Sequence, residues 1–284
     1  MTEREMLSRK QRIVVKIGSS SLVHMETGEL DLVKVERLIR ILSDLKNQGK
    51  DVLLVSSGAI SVGRKILGLS KKPEVLSMIQ ACAAVGQGEL MMLYQKIFME
   101  YNHKAAQVLL TFDVITNDVR RKNAENTLKQ LLDLDIIPVI NENDTVATEE
   151  IEFGDNDTLS AIVATLVNAD LLILLTDVDG FYTDDPHKNK HAERISVINH
   201  VDEKLKTMAK GTGTRYGTGG MFTKLAAAEI ATNSGTDMVI LDSSDLSIIQ
   251  SLMAGEDVGT LFTGSVNRDF DIMDFILNKK YLDN

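Results

Sequence analysis

Short apolar runs alternate with longer amphipathic stretches from residue 13 to residue 262. The runs Ile13–Ile17, Val52–Val55, Ala106–Leu110, Ile136–Ile140, Leu171–Leu175, Met238–Leu241 and Val258–Phe262 are bounded by polar turns and predict strands. Asp31–Gln48 sets Leu32, Val35, Leu38, Ile39, Leu42 and Leu45 on one helical face and stops at Gly49. Ala59–Leu67, Glu74–Tyr101, Val119–Leu134, Thr158–Asn168, Asp202–Ala209, Met221–Asn233 and Asp245–Met253 predict further helices. The Gly86-Gln87-Gly88 step is a candidate break in the longest of them. Strand–helix alternation of this kind predicts an α/β fold on a largely parallel sheet.

In such sheets ligands gather at the carboxyl ends of the strands. Polar clusters fall at those ends, after Ile17, Val55, Ile140 and Leu175. The densest runs from Ile140 to Asp157 and carries Glu142, Asp144, Glu149, Glu150, Glu152, Asp155 and Asp157 among asparagines and threonines. Ordinary connectors are short and rich in Gly, Pro and Ser. Asp144 and Asp155-Asn156-Asp157 suit a pocket wall that meets an ammonium group, a metal or neighbouring lysines. A solvated acidic loop, with Asp157 capping the next helix and Glu149, Glu150 and Glu152 idle, is the plainer alternative.

The other clusters favour anions. Lys16 lies inside an apolar strand just before Gly18-Ser-Ser-Ser21. A lysine there is costly to bury unless something negative meets it, although an edge-strand lysine reaching water fits equally well. Ser56-Ser57-Gly58 leads a strand into a helix whose first N–H groups favour an anion; a simple cap with a turn glycine explains it too. Thr176-Asp177 ends a strand before a glycine turn, a position for a nucleotide contact or for a tight turn alone. Gly211–Lys224 flows through glycines and threonines into a helix with Lys224 one turn inside. Glycines let backbone wrap phosphates and the lysine adds a point charge. It is neither a Walker A loop nor a Rossmann fingerprint.

Net charge is −10, which argues against nucleic acid or an anionic membrane as partner. Cys82 is the only cysteine, so no internal disulfide or cysteine metal cage forms and a reducing, cytoplasmic setting is expected. The charged N-terminus has no signal-peptide core, and strongly apolar stretches such as Leu171–Leu175 are too short to span a bilayer. The five histidines show no paired metal spacing. Two distant lysines, glycine-rich cradles and an acidic, amide-rich wall are the parts phosphoryl transfer needs.

The ordered set VVKIGSS, VSSGAISVGR, PVINENDTVAT, FGDNDTLSA, LLTDVDGFYTDDP and GTGTRYGTGGMFTK resembles the amino-acid kinase family, and within it the branch that phosphorylates glutamate. The resemblance spans about Ile13 to Phe262. It implies a three-layer α/β/α sandwich around a mainly parallel sheet. It also implies ATP-dependent phosphorylation of the γ-carboxylate of L-glutamate, the first step of proline biosynthesis. Lys16, Lys224 and Asp157 would be catalytic. Ser57, Gly58, Asp144 and Asn156 would hold the amino acid, with Ser56 beside them. Lys16, Thr176, Asp177 and the loop Thr218, Gly219, Gly220, Met221, Phe222, Thr223 and Lys224 would hold ATP. Mg2+ would travel with ATP and not on protein ligands. The resemblance further implies proline as feedback inhibitor, a homo-oligomer (dimer or tetramer) and a functional link to glutamyl-phosphate reductase. One kinase domain over residues 1–284 is expected, with an amino-acid lobe over about 1–170, a nucleotide lobe over about 171–264, a tail over 265–284 and no RNA-binding-like PUA domain. Acetylglutamate or aspartate as acceptor, or a non-catalytic nucleotide sensor or storage protein of the same fold, are the alternatives.

Overall fold

The computed structural model describes residues 2–24, 26–146, 156–184, 189–210 and 220–276. Its centre is an eight-stranded sheet of β1 (Arg12–Ile17), β2 (Asp51–Ser56), β3 (Lys104–Leu110), β4 (Ile136–Glu142), β5 (Leu171–Thr176), β6 (Val197–Ile198), β7 (Asp237–Asp242) and β8 (Thr260–Phe262). The strand order is β3-β4-β2-β1-β5-β7-β8-β6. From β3 to β7 every pairing is parallel; β8 runs antiparallel to β7 and carries β6 parallel beside it. The α/β expectation is therefore met, with a short antiparallel edge. The two-residue β6 lies in a stretch whose apolar pattern is too brief to predict a strand.

Alternation along β1 sorts the two faces. Val14 joins the apolar cluster with Leu172, Leu174, Leu159 and Ile162, while Ile13, Val15 and Ile17 join the opposite one with Leu38, Leu42 and Phe98. Successive strand side chains point to opposite faces, so Lys16 falls on the Val14 side. The helices Asn156–Leu166 and Met221–Asn233 pack together on that side, and Ala161, Ala164, Ala227, Ala228 and Ala231 are part of its cluster. Their small side chains let these helices come close to each other and to the sheet.

The helix Leu76–Glu100 is continuous, so Gly86-Gln87-Gly88 is no break. It has the length and apolarity of a membrane span by composition alone, yet Cys82, Gly86, Leu90, Tyr94 and Phe98 recur every four residues on its buried face, the pattern of a helix that packs one face against the core. Gly86 is where it crosses Ala59–Ile66. A Cβ on Gly86 would sit 1.8 Å from the Ala59 carbonyl oxygen, and one on Gly63 would sit 1.8 Å from that of Cys82. Both obstacles are backbone and cannot rotate away. Gly86→Ala should therefore destabilise the protein by about 1–3 kcal/mol in denaturant unfolding. Gly88, with nothing within 4 Å of its built Cβ, should gain up to about 1 kcal/mol on the same change. Equal effects at the two positions would mean the crossing is not made at Gly86.

Candidate functional site

Three charged groups meet at the carboxyl end of the central strands. Lys16 is the penultimate residue of β1, flanked by β2 and β5, so it is not an edge-strand lysine. Its Nζ lies 2.6 Å from Asp157 Oδ1. Lys224, one turn into its helix, brings Nζ to 3.3 Å from Asp157 Oδ2. Thr223 Oγ1 is 3.1 Å from the same oxygen. Asp157 is 1% exposed, Lys224 4% and Lys16 8%. Burial alone would push the Asp157 carboxyl up, but the ammonium groups of Lys16 and Lys224 outweigh it and hold the pKa below its usual range. The trio therefore carries one net positive charge inside a protein of net charge −10.

Asn156 and Asp157 face different partners. The Asn156 side-chain amide donates to Ser57 Oγ at 2.8 Å and to Asn141 Oδ1 at 2.9 Å, and lies 3.2 Å from the Ser56 carbonyl oxygen. Asn141 donates onward to Gln87 Oε1 at 3.0 Å. This chain joins the ends of β2 and β4 to the helix Leu76–Glu100. With the amide hydrogens turned toward Ser57 and Asn141, the Asn156 carbonyl oxygen points away from them. Gly58 follows with φ +103°, a backbone conformation that favours glycine. A Cβ there would stand 3.6 Å from that of Ser19, so the turns after β1 and β2 touch. One on Gly18 would stand 3.7 Å from Lys16 Nζ.

The β5 end contributes Thr176, whose hydroxyl donates to Asp177 Oδ1 at 3.0 Å, while Ser243 N–H from the β7 end donates to the Thr176 carbonyl at 2.7 Å. Gly220 caps the Met221 helix, and Met221 and Phe222 form its first turn. Asp144 lies half-buried in the turn after β4. Thr218, Gly219 and Asp155 fall outside the described residues, as do Glu149, Glu150 and Glu152. The structure thus joins Lys16, Lys224, Asp157 and Thr223 in one group, and Ser57 and Asn156 in a second beside it. Sequence reasoning missed Gln87 and Tyr94. A glutamine between two glycines of an apolar helix was a signal for the first; Tyr94 sits in ordinary core spacing and gave none.

The sign of the Asp157 shift fixes a pH dependence. A carboxyl whose folded pKa is depressed adds stability above its unfolded pKa of about 3.9, and that stability is lost as pH falls through the folded value. Asp157→Asn should lower stability at neutral pH, where two ammonium groups lose their counter-charge. It should also flatten the loss of stability below about pH 4. Acid unfolding curves of the two proteins check this, and identical slopes would remove Asp157 as an ionised partner of the lysines.

Residues 11–242 match the model of the Amino acid kinase family. A glutamate 5-kinase of Carboxydothermus hydrogenoformans is 53% identical over 91% of this chain and 69% of its own length. One of Clostridium perfringens is 48% identical over 91% of this chain and 97% of its own. Among solved structures, carbamate kinase from Giardia lamblia superposes with a TM-score of 0.65 at 19% identity, covering 91% of this chain and all of that one. Isopentenyl phosphate kinase of T. acidophilum superposes at 0.61 and 16% identity, over 89% of this chain and all of its own. These two share the fold. The chain belongs to the amino-acid kinase family, among the glutamate 5-kinases.

Proposed function

We propose that this protein transfers the γ-phosphoryl group of ATP to the γ-carboxylate of L-glutamate, giving L-glutamyl 5-phosphate and ADP, the first step of proline synthesis from glutamate. The observation that carries the reading is the Lys16–Asp157–Lys224 trio placed beside the Ser57–Asn156 pair. In the step, a carboxylate oxygen of glutamate forms a bond to the γ-phosphorus. The bond from that phosphorus to the β–γ bridging oxygen breaks, and its electrons leave with ADP. The attacking carboxylate is ionised at neutral pH, so no base is needed. The protein's work is alignment and charge neutralisation.

Lys16 and Lys224 both pair with Asp157 and bring their positive charge to the phosphoryl oxygens. Asp157 fixes where both ammonium heads sit. The Met221 helix adds its N-terminal partial charge, with Thr218 to Lys224 as the phosphate cradle and Thr176 and Asp177 beside it. Ser57, Gly58, Asp144 and Asn156 hold the amino acid, the acidic and carbonyl oxygens meeting its α-ammonium group. That explains an acidic wall in a protein whose substrates are anions. Among the described residues there is no group of three or more His, Cys, Asp or Glu that could hold a metal, and Asp157 is already engaged. The described residues fit Mg2+ as an ion that would be carried by the phosphates of ATP, where it would neutralise charge.

The wider reading places residues 1–170 as the amino-acid lobe and 171–264 as the nucleotide lobe of one domain, in the cytoplasm, in a homo-oligomer restrained by proline. An acyl phosphate hydrolyses readily, which favours a functional link to glutamyl-phosphate reductase.

Lys16→Ala or Lys224→Ala should lower turnover by about 100-fold or more, measured as ADP release by the purified variants; near-normal turnover would remove those lysines from the mechanism. Over a panel of L-glutamate, N-acetylglutamate, L-aspartate, UMP and carbamate, ADP should appear with L-glutamate. Preference for the acetylated acceptor would contradict an ammonium-binding wall, and silence on all five would favour a non-catalytic binding protein. Asp144→Ala and Asn156→Ala should raise the KM for glutamate and leave that for ATP near its original value.

A further inference from the structure

The turn after β2 is held from behind. Tyr94 is 1% exposed, and its hydroxyl lies 2.7 Å from Ser56 Oγ. Ser56 Oγ lies 3.2 Å from the Ser57 carbonyl oxygen. A carbonyl only accepts, so Ser56 donates to Ser57 and its remaining capacity accepts from Tyr94. The phenol can supply that proton: burial pushes its pKa up to about 12, only partly offset by the Ser56 hydrogen bond. The result is a directional chain from the Leu76–Glu100 helix to one peptide unit of the turn. The 57–58 peptide is trans, so its carbonyl and its N–H point in opposite directions. Drawing the Ser57 carbonyl back toward Ser56 turns the Gly58 N–H forward. The Ser57 N–H, on the preceding peptide, donates to the Ile17 carbonyl at 3.2 Å, which anchors the N-terminal side of the turn, while the Ser56 hydroxyl is the contact that a flip of the 57–58 peptide would break.

We propose that Tyr94 is a positioning residue for the acceptor, aiming the Gly58 N–H through Ser56 at a carboxylate of the amino-acid substrate. The inference rests on Ser57 and Gly58 being acceptor-binding residues and adds what sets their orientation. A peptide N–H directed at an anion costs no reorganisation when substrate arrives. Freed from its tether, the 57–58 peptide samples other orientations, and substrate binding must order it again.

The test uses the full chain with Tyr94→Phe, which keeps the ring in its pocket, and Ser56→Ala as an independent break in the chain. ADP release is followed with glutamate and ATP varied separately, alongside amide hydrogen exchange of the 56–62 segment. Either variant should raise the KM for glutamate about 5-fold, the scale of one hydrogen bond, with kcat within about 2-fold and the KM for ATP unchanged. The double variant should lose no more than the single ones, since both cut the same chain. Exchange in 56–62 should rise in both while other segments stay as they were. An unchanged glutamate KM in folded Tyr94→Phe, or equal rises for glutamate and ATP, overturns the positioning role and leaves the kinase reading standing. If the parent protein releases no ADP with glutamate, the kinase reading fails, and unchanged exchange in 56–62 then overturns the tether on its own.

Discussion

Burying Asp157 between two lysines is the constraint around which this structure is arranged. A lone buried charge is too costly to keep, and a buried pair repays its desolvation only when geometry is close and every partner is met. Here one carboxylate serves two ammonium groups and a threonine hydroxyl. The two lysines come from different elements and the carboxylate from a third, so the arrangement exists only if β1, the Asn156 helix and the Met221 helix are all in place. A central position for β1 and alanines in the cluster beneath both helices are the conditions for that approach. Removing one charge leaves the others unpaired in the interior, so the stability of this region rests on all three groups together.

The two halves of the proposed site are joined through consecutive residues. Asn156 reaches the β2 and β4 ends, and Asp157 reaches the lysines. A helix start presents neighbouring side chains in diverging directions, so one backbone position fixes the amino-acid side relative to the phosphoryl side. In-line transfer depends on that relation more than on any single contact.

Much of this was legible in the chain. Strand runs and helical spacing mark seven of the strands and the parallel sheet, and the sheet rule puts Lys16, Ser57 and Thr176 together at the carboxyl ends of the strands. Lys16 itself was ambiguous, because an apolar run does not say whether its strand is central or at an edge; strand order decides that. Gly86 was misread as a possible break, since a glycine required by a neighbouring backbone and one that ends a helix look alike in sequence. Gln87 and Tyr94 act through hydrogen bonds to residues far along the chain, and local patterns carry no trace of such pairings. β6 and the antiparallel turn of β8 depend on edge pairing, which short apolar runs do not encode.

The strand order has a consequence for how such a fold diversifies. The charged trio hangs from β1 and the two helices over it, whereas the proposed acceptor residues other than Asn156 hang from the ends of β2 and β4 on one flank. A change of acceptor is therefore open to the turns after β2 and β4, with Asn156 tied to the trio through its neighbour Asp157. The turns after β2 and β4, one and two strands from β1, can change while the charged trio stays in place. The fold itself is shared, at less than one-fifth sequence identity, with kinases named for carbamate and isopentenyl phosphate.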